Sequence, residues 1–162
     1  YAQRADTGPQ PVSTQVAALL DQEARAGMTT AAYYTGFQQR AEKVKDDFLR
    51  FLLDAKRDGK KVAAYGAAAK GNTLMNFAGV RPDLIAFVVD RNPAKQGKLM
   101  PGSRIPIVDE ARLRTEQPDF VVLLPWNLHT ELARQLAYVS EWGGQLVTAV
   151  PELRVFAPHA AA

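Results

Sequence analysis

The chain has no cysteine. Disulfides, thiol nucleophiles and cysteine-built zinc sites are therefore excluded. Histidine is scarce as well. His129 and His159 lie 30 residues apart, the second in a tail, which excludes a histidine-rich metal site. No apolar run approaches the ~18 residues that a membrane span needs, and the N-terminus lacks a signal-peptide layout. The expected setting is the cytoplasm, with no membrane partner. No block of Lys and Arg of the phosphate-tracking kind is present, so no nucleic-acid partner is expected. A net charge of +3 and a pI of about 9.3 are mildly basic and fit an anionic ligand.

What is present fits one domain with a buried core: 162 residues, 47% of them hydrophobic. The informative stretch runs from Lys61 to Asp90. A short apolar run, Val62 to Tyr65, ends at a glycine-rich turn. The turn opens a helical pattern, Asn72 to Ala78, and a second apolar run, Leu84 to Val89, ends in Asp90. Strand, glycine turn, helix, strand and acid is the layout of a nucleotide-binding βαβ unit. A turn without bulky side chains lets backbone N–H groups and the positive end of a helix face an anion.

Residues 1–12 read as linker and residues 13–59 as helices that pack on a sheet. Ser13 is a plausible N-cap for a helix that runs to Gly27. Thr29 or Thr30 caps a second one. Its apolar positions, from Tyr33, Tyr34 and Phe37 to Phe48, Phe51 and Leu52, predict one helix of about seven turns with one apolar face. Residues 60–156 read as the core and residues 157–162 as a tail. Within the core, further strands are expected at Ile105 to Val108, Phe120 to Leu124 and Gln145 to Val150. Helices are expected from Asp109 to Gln117 and from Thr130 to Trp142. The fold class is α/β: a Rossmann-like, doubly wound parallel sheet of about five strands, preceded by N-terminal helices. Right-handed crossovers give the order 3-2-1-4-5. Gly66 to Asn72, Asp90 to Lys95 and Pro125 to His129 then share one rim at the carboxyl ends of the strands.

The turn reads G-x-A-x-x-G at Gly66, Ala68 and Gly71. Ala68 stands where a full dinucleotide fingerprint wants glycine. Asp90 follows Gly66 by 24 residues, near the distance at which an acid takes a ribose hydroxyl. Asn72 stands where a Walker loop needs lysine. Lys70 meets either a phosphate or solvent. Asp90 binds a hydroxyl or caps a turn. Arg91 and Lys95 clamp a diphosphate or form a solvated basic loop. Trp126 stacks on a ligand or belongs to the core. Asn127 bonds a ligand or caps the next helix. No Ser-His-Asp set, paired carboxylates or metal cluster supplies a catalytic group.

Taken together, Tyr65 to Leu74, Val89 to Gly97, Pro101 to Ile107, Leu124 to Asn127 and Val150 to Arg154 resemble the C-terminal domain of S-adenosylmethionine-dependent sugar C-methyltransferases. The resemblance covers roughly residues 30 to 155, with the blocks in order. Enzymes of that family methylate a ring carbon of nucleotide-linked deoxysugars. They carry an N-terminal zinc-binding region, a central methyltransferase domain and then this Rossmann-like domain. The resemblance implies that zinc, S-adenosylmethionine and the catalytic residues belong to the first two parts, with no cofactor in this chain. Its start at Tyr1 fits a cut after the methyltransferase domain, which is then an expected partner. The implied ligand is a dTDP-sugar-like nucleotide sugar. Gly66, Lys70, Gly71 and Asn72 would hold its diphosphate, and Asp90, Arg91, Lys95, Trp126 and Asn127 would line the nucleotide or sugar. Two other readings stand beside this one: an NAD(P)-binding oxidoreductase domain, and a structural or dimerising module that uses the Tyr33 to Leu53 helix.

Overall fold

The computed structural model describes residues 3–4 and 6–158, so His159 and the end of the expected tail lie outside the described residues. The chain forms two compact units, Tyr1–Arg40 and Ala41–Ala162.

In the first unit, α1 spans Thr14–Arg25. The Ser13 hydroxyl accepts the Gln15 N–H at 3.2 Å, as an N-cap should. α2 is a single turn, Ala31–Tyr34, and α3 spans Phe37–Arg57. The expected seven-turn helix is therefore corrected. It breaks at Thr35–Gly36, where Gly36 takes φ +82°. That left-handed value ends a right-handed helix and comes easily to glycine alone. Tyr33, Tyr34 and Phe37 are exposed, and neither α1 nor α2 has a buried residue.

In the second unit the same heptad-like spacing does bury side chains. Phe48, Leu52 and Ala55 of α3 enter the core at steps of four and three. The strands are β1 (Val62–Tyr65), β2 (Val88–Val89), β3 (Ile107–Val108), β4 (Phe120–Leu123), β5 (Gln145–Thr148) and β6 (Arg154–Phe156). They form one sheet in the order β3-β2-β1-β4-β5-β6. The first five are parallel and keep the expected order 3-2-1-4-5. β6 is an addition to the expectation and pairs antiparallel with β5. With three residues and only Phe156 half-buried, it carries too little apolar pattern to be read beforehand.

Alternation along each strand sends side chains to two faces. Val62, Ala64, Val88, Val122 and Val147 pack with Phe48, Leu52, Leu74 and Met75 on one. Ala63, Tyr65, Val89, Val121, Leu123 and Leu146 pack with Leu113, Leu132, Leu136 and Val139 on the other. The helices behind those contacts are α4 (Ala69–Phe77), α5 (Ala111–Glu116) and α6 (His129–Gln135). α4 starts three residues before the expected Asn72. The expected Thr130 to Trp142 helix splits at Leu136 into α6 and a 3-10 turn, Ala137–Trp142. Among the described residues no helix is long and apolar enough to cross a membrane.

Candidate anion-binding rim

β1 leaves the sheet at Tyr65 and the chain bends at Gly66, whose φ is +86°. A Cβ at Gly66 would lie 2.5 Å from Cγ of Pro125. A Cβ at Gly71, inside the first turn of α4, would lie 2.5 Å from Cβ of Leu124. Both glycines are thus required by the exit of β4, which presses against the bend. The bend's amides are also engaged. Gly66 N–H donates to the Val89 carbonyl at 2.7 Å and Ala68 N–H to the Gly66 carbonyl at 2.7 Å. Ala67 N–H donates to Oδ2 of Asp90 at 2.8 Å. The expectation that these bend amides face a bound anion is corrected here. The Asp90 carboxylate supplies the anion from within the protein.

Asp90 is held on every side. Oδ2 also accepts the Lys95 ammonium at 2.9 Å, and Oδ1 accepts the Asn92 N–H at 2.9 Å. Lys95 donates in addition to the Ala67 carbonyl at 2.9 Å. Burial alone would raise the Asp90 pKa. The Asn92 N–H, the Lys95 ammonium and the Ala67 N–H outweigh it, and the carboxyl lies below its ordinary value.

The first turn of α4 is different. By helix geometry the N–H groups of Ala69, Lys70 and Gly71 have no partner inside the helix, and Ala68 gives no side-chain cap. Oδ1 of Asn72, one turn in, is buried without a hydrogen-bond partner. Lys70 points across to the turn after β4. Its ammonium donates to Oδ1 of Asn127 and stands 4.7 Å from the ring centroid of Trp126. Trp126 is half-buried against the core face that carries α3 and α4. Asn127 does not cap α6; its amide oxygen goes to Lys70. His129 closes the turn, with Nδ1 3.0 Å from the Trp126 carbonyl.

Gly66, Lys70, Gly71, Asn72, Asp90, Lys95, Trp126 and Asn127 therefore meet where the exits of β1, β2 and β4 converge. Arg91 engages a different group. Its Nε lies 3.8 Å from Oε2 of Glu110. Glu110 accepts the hydroxyls of Tyr65 at 3.1 Å and Tyr138 at 2.9 Å, and Gln135 donates to the Tyr65 oxygen. Burial, and then Glu110 through its charge and its hydrogen bonds, raise both tyrosine pKa values. Sequence reasoning missed this cluster. Its only trace in the sequence is a tyrosine ending the otherwise small-chained run Val62 to Tyr65. The three rim cations thus differ: Lys95 and Arg91 face carboxylates, whereas Lys70 has only uncharged partners among the described residues.

Residues 1–151 match the family described as the C-methyltransferase C-terminal domain. The chain belongs to that family. The resemblance seen in the motif blocks is thereby borne out. This C-methyltransferase C-terminal domain is similar to C-methyltransferase NovU of Streptomyces niveus, with 35% identity over 144 residues. The match takes in 89% of this chain and 34% of NovU, so the domain spans about a third of that relative's length. A solved structure, UDP-D-quinovosamine 4-dehydrogenase from Vibrio fischeri, is similar at a TM-score of 0.46 and 16% identity. That similarity covers 60% of this chain and 93% of the other. A likeness that distant bears on neither substrate nor reaction.

Proposed function

We propose that this domain forms one wall of the nucleotide-sugar site of a C-methyltransferase and holds the diphosphate beside Lys70. One observation carries the reading: Lys70 alone among the three rim cations keeps its charge free of a carboxylate. It does so at the uncapped start of α4, where first-turn amides and the helix dipole favour an anion. Asn72 lies in the same first turn, and the Trp126 ring offers a flat face to a base or sugar. Asp90, Lys95, Gly66 and Gly71 serve by keeping the bend closed and the helix start in place. Arg91, exposed beyond them, is left for the outer part of the ligand.

On this reading the substrate is a nucleotide-linked deoxysugar in the cytoplasm, and the rest of a NovU-type enzyme is the partner. There a base takes the acidic proton from a carbon next to a keto group, and that carbon takes a methyl group. S-adenosylmethionine, held by the other part of the enzyme, would supply that methyl, its sulfonium leaving as a neutral thioether. The present residues contribute binding and orientation. On the same reading zinc and S-adenosylmethionine belong to the rest of the enzyme. Among the described residues no three His, Cys, Asp or Glu side chains form a metal-binding group. The acid that would take a ribose hydroxyl, Asp90, already accepts three hydrogen bonds. That same commitment weighs against an NAD(P) oxidoreductase.

Calorimetric titration with dTDP tests the reading, alongside NADH fluorescence. Saturable heat with dTDP and no change in NADH emission is expected. Enhanced NADH emission with no dTDP heat at millimolar ligand would overturn it.

A further inference from the structure

The partners of Lys70 have a consequence for which ligands the rim accepts. An ammonium has three N–H donors and no acceptor. In this structure one donor goes to the amide oxygen of Asn127, and the charge lies over the Trp126 ring at 4.7 Å. Both partners are neutral, so they hold the ammonium without cancelling its charge. Both also come from the turn after β4, whereas Asp90 and Lys95 follow β2, on the other side of β1 in the sheet.

We propose that Asn127 and Trp126 form a resting place for the Lys70 ammonium, and that Asn127 thereby sets the threshold an anion must exceed to occupy the rim. The proposal builds on the reading of the rim as a diphosphate site. A ligand that uses Lys70 must first draw it from a charge-assisted hydrogen bond and from a cation–π contact. An uncharged nucleoside offers only neutral acceptors in exchange. A single weak charge at a half-exposed site offers little. A diphosphate reaches Lys70 and the first-turn amides of α4 together, and its charges act on both. Selectivity for multiply charged ligands then comes from Asn127 acting against binding, rather than from Asn127 touching the ligand.

The two roles give opposite signs. If Asn127 competes for the ammonium, its removal frees Lys70 and tightens binding. If it contacts the ligand, its removal weakens binding. The experiment is calorimetry of the 162-residue chain and its Asn127→Ala and Lys70→Met variants, each titrated with dTDP and with thymidine. Asn127 is exposed, so the fold should tolerate its truncation, and thermal melts check that it does. The expected result is dTDP affinity roughly three- to tenfold tighter in Asn127→Ala. Binding should be at least about tenfold weaker in Lys70→Met, with thymidine the same for wild type and Asn127→Ala. Unchanged or weaker dTDP binding by Asn127→Ala, with wild-type binding intact, overturns the proposal and leaves the diphosphate site standing. Absence of saturable dTDP binding in both wild type and Asn127→Ala overturns the diphosphate site, and the proposal with it.

Discussion

Asp90 and Lys95 lock the exit of the first strand from inside. The Lys95 ammonium lies 2.9 Å from Oδ2 of Asp90 and 2.9 Å from the Ala67 carbonyl, while the same Oδ2 accepts the Ala67 N–H at 2.8 Å. One carboxylate and one ammonium thus satisfy both backbone groups of a residue that lies between strand and helix. A rim built this way has its shape fixed by the protein's own groups, as the proposed diphosphate site needs.

The lock predicts an acid limb in stability. The folded-state pKa of Asp90 is depressed, so its contribution is present above the ordinary carboxyl value of about 3.9 and fades as pH falls below it. Thermal melts between pH 6 and pH 2 should show this fall. Asp90→Asn should lower the melting temperature at pH 6 and flatten the limb. An acid limb as steep as that of the wild type would remove Asp90 from the account.

Gly71 predicts a packing defect. In Gly71→Ala the new methyl would sit 2.5 Å from Leu124 Cβ and so force a shift of α4 or β4. A loss of about 1–3 kcal/mol is expected on urea unfolding, with melting lowered by roughly 2–4 °C per kcal/mol. Paired with Leu124→Gly, which removes the Cβ that the new methyl meets, the same alanine should cost less than it does alone. Simple additivity would contradict the contact.

Glu110 predicts both a stability loss and an alkaline limb. Glu110→Ala leaves the buried Tyr65 hydroxyl without its acceptor, at about 1–3 kcal/mol. Tyr138→Phe removes a donor and an exchangeable bond only, so its cost should be smaller, about 0.5–1.5 kcal/mol. Both phenols have raised pKa values in the fold, first through burial and then through Glu110. The unfolded chain therefore releases these protons first, and stability should fall as pH rises past about 10. Denaturation curves from pH 8 to pH 11 measure it. A flat profile would mean that the tyrosines are not held as described.

The parallel core was legible because Val62–Tyr65 and Phe120–Leu124 are continuous apolar runs separated by helical patterns, and right-handed crossovers leave few orders open. The meeting of Lys70, Asp90 and Trp126 at one rim followed from that order. Other features were not local enough to read. Gly36 looks like a tolerated glycine inside a helix until its φ is known. Pro125 and Leu124 explain Gly66 and Gly71 from more than 50 residues away. Tyr65, Glu110 and Tyr138 are separated by 45 and 28 residues and meet only through the fold.

The central claim is that Lys70, and not Lys95 or Arg91, receives the diphosphate. Its most direct test is 31P NMR of dTDP titrated with wild type, Lys70→Met and Lys95→Met. The account predicts that both phosphorus resonances shift with wild type and, once melts confirm that it is folded at the titration temperature, with Lys95→Met, and that Lys70→Met leaves them near their free positions. Shifts that survive in Lys70→Met but vanish in Lys95→Met would contradict it.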